Sequence, residues 1–80
     1  MNAYAGQWSL TVTFQTHGRP QIRREVTVSD SFDSLRPGEI DAVLLDRARA
    51  EFTSLLRSMG EPDSFFDRLS YPAARWEGIR

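Results

Sequence analysis

Cysteine and lysine are absent from the chain, and histidine occurs once, at His17. Without cysteine, neither a disulfide framework nor a thiolate metal site can reinforce the fold, and compartment leaves no redox signature in the sequence. A tetrahedral zinc site resting on one histidine would need three carboxylates, an uncommon ligand set. A nucleophilic triad needs a base beside a nucleophile and a third group that orients it. His17 falls in turn sequence where solvent should surround it, so no catalytic residue is assigned. The five glycines form neither a GxGxxG nor a GxxxxGK[ST] pattern, which removes the usual phosphate cradles and, with them, an expected cofactor.

Long apolar runs are missing too. No window approaches the roughly 18 apolar residues that cross a bilayer. The opening MNAYAGQWSL has neither the basic start nor the apolar core of a secretion signal. A cytoplasmic, non-catalytic protein with no membrane partner is expected. Because lysine is absent, all ten basic residues are arginine. A GC-rich genome, such as that of an actinobacterium or one of its phages, produces this bias. The functional alternative is arginine kept for bidentate or stacking contacts that lysine does not reproduce.

What is present is enough to fold. Eighty residues make one small domain, of a size that buries around 60% of the surface its unfolded chain exposes. Apolar residues form 40% of the chain and aromatics 11%, against 26% charged, a balance unlike that of a disordered tail. The net charge of −1 conceals a segregation. Residues 1–29 set Arg19, Arg23 and Arg24 against Glu25, for +2; residues 30–67 set nine acids against four arginines, for −5; residues 68–80 return +2. Such a dipolar surface can orient an encounter with a charged partner.

The first element alternates strictly: Trp8, Leu10, Val12 and Phe14 share one face, and Ser9, Thr11, Thr13 and Gln15 the other. His17-Gly18-Arg19-Pro20 supplies turn chemistry. Alternation then resumes with Ile22, Val26 and Val28 against Arg23, Glu25, Thr27 and Ser29. The pair predicts a β-hairpin over 7–29. Both apolar sets are even-numbered, so opposed residues must have an even sum and the loop an odd length; a two-residue turn would set Phe14 against Arg23. Arg24 interrupts the second apolar set, and its stem can lie along apolar surface while its guanidinium reaches water.

Residues 30–38 are turn-rich, with Phe32 and Leu35 as plugs and Pro37-Gly38 as the boundary. From Glu39 to Met59 the period becomes helical: Ile40, Leu44, Leu45, Ala48, Phe52, Leu55, Leu56 and Met59 span an arc of about 160°. Gly60 and Pro62 end it. Asp30, Asp33, Glu39 and Asp41 gather near the helix start. There negative charge favours the exposed N–H groups, and Asp30 and Asp33 suit an Asx-turn or a cap, a better account than a Mg²⁺ site. So wide an arc predicts a second layer of cover, either a short helix over Asp63–Leu69 burying Phe65, Phe66 and Leu69, or a second copy of the chain. Tyr71-Pro72 breaks that segment, and Arg75–Arg80 can extend as a third strand carrying Trp76 and Ile79. The expected architecture is α+β: an antiparallel hairpin and a C-terminal strand on one long amphipathic helix, with a short helix within the 62–80 tail. A two-stranded hairpin is marginal alone and leaves open edges, so a homodimer is expected.

Two functions fit. The first is a protein-binding module, such as a regulatory, inhibitory or phage-type accessory factor, contacting its partner through Phe65, Phe66, Tyr71 and Trp76, since Trp, Tyr and Arg dominate protein interfaces. The second is nucleic-acid binding through a hairpin ribbon bearing His17, Arg19, Arg23 and Arg24. A sequence pI near 5.7 weighs against the second, because such domains usually carry a net basic footprint.

Overall fold

The computed structural model describes residues 4–70 and 72–79. The period-two segments form the hairpin: β1 (Gly6–Thr16) pairs antiparallel with β2 (Arg23–Phe32), in a register that sets Leu10 opposite Val28 and Val12 opposite Val26. Opposed residues have even sums, and Thr16 and Ile22 close a loop of residues 17–21, odd in length as the apolar pattern requires. The loop is held by Thr16. Its amide donates to Ile22 O at 2.9 Å, and its buried hydroxyl accepts from Ile22 N at 2.8 Å and donates to Pro20 O at 3.3 Å.

β2 continues to Phe32, past the end expected from alternation, because Asp30 and Phe32 still pair with Trp8 and Gly6. α1 (Pro37–Ser58) also begins earlier than the expected Glu39. Pro37 stands in the first turn, where its missing N–H costs nothing and its fixed φ suits the helix. The N-cap residue is Arg36, so neither Asp30 nor Asp33 occupies the capping position. Asp30 instead forms an ion pair with Arg47 that ties β2 to α1. At the other end Met59 is the C-cap, and Gly60 adopts φ +81°, a left-handed conformation that favours glycine.

α1 lies along the sheet and buries Ile40, Leu44, Ala48, Phe52 and Leu56 against Trp8, Leu10, Val12, Phe14, Ile22 and Val28. Phe32 and Leu35 pack against this core as the plugs the sequence predicted.

The expected short helix over Asp63–Leu69 is not formed. Residues Phe66–Arg68 are instead a strand, β3, antiparallel to the C-terminal end of β1, with Phe66 opposite Thr16 and Arg68 opposite Phe14. Backbone bonds explain the outcome. A helix of two turns leaves most of its own N–H and C=O groups unbonded, whereas the second edge of β1 offers partners: His17 N donates to Phe65 O and Leu69 N donates to Thr13 O, each at 2.8 Å. Extension also separates the two phenylalanines. Phe66 turns inward, its ring 5.4 Å from Phe14 and 4.8 Å from Phe52, both edge-on.

The tail strand is present as β4 (Arg75–Gly78), paired with the N-terminal end of β1 so that Trp76 faces Trp8. Asp41 of α1 accepts the Ala74 amide at 2.5 Å and fastens the segment leading into it. Among the described residues the sheet thus has four strands, with β1 inside: β2 runs along one edge, and β3 and β4 share the other. The side away from α1 is polar, crossed by bonds between Thr11 and Thr27 hydroxyls (2.8 Å), Ser31 and Gln7 (2.9 Å) and Ser9 and Glu77 (2.7 Å). No helix among the described residues is long and apolar enough to cross a membrane.

Candidate protein-binding surface

Three exposed apolar residues lie in the segments at the β4 end of the sheet: Tyr4 (44% exposed), Trp76 (46%) and Ile79 (70%). Two indoles hold the chain there. Trp8, buried beneath, donates its Nε1–H to Tyr4 O at 2.9 Å, and Trp76 donates its own to Ala5 O at 3.1 Å. Successive carbonyls of one segment are thereby fixed by tryptophans of two strands. The arrangement requires Gly6, which has φ +143°; a Cβ there would lie 2.3 Å from Gly78 O and 2.5 Å from Trp76 Nε1. A shallow hollow of about 320 Å³ opens beside it, lined by Ala5, Gly6, Ser31, Phe32, Asp33 and Ile79.

What this surface can do follows from its bonding. The one polar atom of the Trp76 side chain is already satisfied, so a partner meeting the ring encounters apolar area with no donor left to desolvate. The ring is held in place before any encounter, which reduces the ordering cost of association.

The other residues singled out from sequence are distributed differently. Phe65 is 78% exposed, immediately before β3 and at the opposite end of β1 from Trp76. Phe66 belongs to the aromatic cluster with Phe14 and Phe52. Tyr71 lies outside the described residues. Sequence reasoning did not single out Tyr4 or Ile79 as contact residues. Gly6, at the edge of the alternating segment, was the available signal, since glycine in a strand often marks a close backbone approach.

The basic residues do not converge. His17 and Arg19 are exposed in the loop, and the His17 ring shares a hydrogen bond with the Asp67 carboxylate of β3. Arg23 and Arg24 are successive strand residues and project to opposite sides of the sheet. Arg24 donates to Arg23 O at 2.8 Å. Nor is the hairpin a free ribbon, because β3 and β4 occupy the outer edge of β1. The carboxylates near the helix start also disperse, Asp30 to Arg47 and Asp41 to Ala74 N. Among the described residues, no group of three or more His, Cys, Asp or Glu side chains is placed to hold a metal ion.

No family model, curated protein or solved structure matches the chain. The functional reading therefore rests on the surface itself.

Proposed function

We propose that this chain is a non-catalytic module that binds another protein, in a regulatory, inhibitory or accessory role, through the surface around Trp76. The observation that carries the reading is a half-exposed tryptophan whose indole N–H is bonded to Ala5 O, which leaves its ring to present apolar area. Tryptophan and tyrosine are over-represented among the residues that dominate interface energetics. Phe65 offers a second, separate contact point at the far end of the sheet. The nucleic-acid reading has less support, since Arg23 and Arg24 lie on opposite sides of the sheet and His17 is engaged with Asp67.

The test is affinity capture from the source cell with the wild-type chain and with Trp76→Ala, followed by titration of any captured protein. A hot-spot residue contributes about 2 kcal/mol or more, so Trp76→Ala should weaken binding roughly 30-fold or more. If no protein is captured, or if the captured protein binds Trp76→Ala equally well, the reading fails. Salt-sensitive binding to DNA or RNA that drops with Arg23→Ala would install the second reading in its place.

A further inference from the structure

The outer edge of β2 carries the features of a self-complementary joint. Thr16 N bonds to Ile22 O, so the even-numbered residues of β2 face β1, and the odd-numbered Arg23, Glu25, Thr27, Ser29 and Ser31 direct their N–H and C=O groups outward. Two of those outward groups are covered by neighbouring side chains of the same strand. Arg24 donates to Arg23 O at 2.8 Å, and Asp30 accepts from Ser31 N at 2.7 Å.

We propose that a second copy of this chain pairs here, β2 against β2 in antiparallel register about a two-fold axis at Thr27. In that register residue numbers opposite each other sum to 54, and every feature of the edge finds its counterpart. Arg23 lies opposite Ser31 of the other copy, so the covered carbonyl and the covered amide become each other's partners. Arg24, released from its own strand, faces Asp30 across the joint with opposite charge. Val26, half-buried in one copy, meets Val28 on the helix side. Glu25 meets Ser29, and no like charges are opposed. A register shifted by two residues in either direction loses the match of Arg23 with Ser31 and of Arg24 with Asp30.

The helices fit the same arrangement. α1 packs on both β1 and β2, so copies joined through β2 hold their helices about two strand spacings apart, roughly 10 Å. Helices pack at about 8–10 Å. The flank of α1 beyond Arg47, which already reaches β2, carries the small exposed residues Ala50, Ser54 and Ser58 at four-residue spacing, and these permit such an approach. The joint lies across the sheet from β4, so it leaves the Trp76 surface of each copy free and makes the assembly bivalent. It stands independently of what that surface binds.

Purified full-length chain in a light-scattering concentration series should reach twice the chain mass. The chain has no cysteine, so Thr27→Cys introduces a single thiol. At the axis its Cα should lie about 5.5 Å from its counterpart, within disulfide reach, and mild oxidation should cross-link it. Glu25→Cys and Ser29→Cys should each fail to cross-link alone and succeed when mixed. Thr27→Pro, whose lost N–H points outward, should be monomeric with an unchanged circular dichroism spectrum. A monomer at all concentrations, or Thr27→Cys cross-linking no faster than Glu25→Cys, overturns the proposal. The cysteine comparison decides it even if the proline variant does not fold.

Discussion

Phe65 and Phe66 are adjacent in sequence and occupy opposite environments: Phe66 stands edge-on to Phe52 at 4.8 Å between ring centres, while Phe65 is 78% exposed. The division falls where the chain enters β3, with Phe66 its first residue and Phe65 just outside it. Phe66→Ala removes a ring from a three-membered aromatic cluster and, because the ring is only part-buried, should cost roughly 2–4 kcal/mol in urea unfolding. Phe65→Ala should stay within about 0.5 kcal/mol of wild type. Equal losses at the two positions would mean that this segment is helical after all.

Gly6 gives a sharper test of the candidate surface. A Cβ would collide with the backbone oxygen of Gly78, which cannot swing aside as a side chain would. Gly6→Ala should therefore displace β4, shift the tryptophan fluorescence toward the exposed value, and destabilise by about 1–3 kcal/mol. Partner binding should fall along with it. An unchanged emission spectrum would show that Trp76 does not depend on this contact.

Thr16 is buried, and its hydroxyl is the acceptor for Ile22 N at 2.8 Å. Thr16→Val keeps the shape and removes the acceptor, so the buried amide loses its partner at a cost of about 1–3 kcal/mol. Thr16→Ser keeps the oxygen and should recover most of that loss in the same thermal or denaturant melts. Valine and serine variants of equal stability would place the effect in packing instead.

Two links between α1 and the sheet should differ in worth. Arg47 and Asp30 form an ion pair with both side chains more than 40% exposed, so Arg47→Ala should cost no more than about 1 kcal/mol, less at high salt. Asp41→Ala deprives the part-buried Ala74 amide of its acceptor and should cost about 1–2 kcal/mol. It should also speed hydrogen exchange at Ala74 and in β4. Exchange there that does not change would mean that β4 holds without the Asp41 link.

What could be read in advance was whatever depended on local repetition. Trp8, Leu10, Val12 and Phe14 declare their shared face by period alone, and the parity of Ile22 and Val28 then sets the loop length. Ile40 to Leu56 declare the helix in the same way. In sequence Pro37 reads as a boundary marker, although proline serves equally as the first helical residue. The segment from Asp63 to Leu69 is ambiguous in sequence because adjacent phenylalanines fit a helix or a strand; the vacant edge of β1, some fifty positions away, makes the choice. Of the candidate surface, Trp76 could be singled out by residue type. Its anchoring by Ala5 depends on the pairing of β4 with the other end of β1, which no local pattern encodes. The separation of Arg23 from Arg24, by contrast, was available from strand alternation.

Because, among the described residues, β2, β3 and β4 each pair with β1 and not with one another, β1 precedes all its partners in the chain and is the last strand of the sheet to be completed. During synthesis, at about 5–20 residues per second, hairpin and helix can assemble while the other side of β1 waits for Phe66 and then Trp76 to emerge. A nascent chain halted in that interval would present the outward backbone groups of Thr13, Gln15 and His17 as an open template for a passing strand. Ribosome-stalled intermediates ending after the helix should therefore be the forms of this protein most prone to aggregate and most in need of a chaperone.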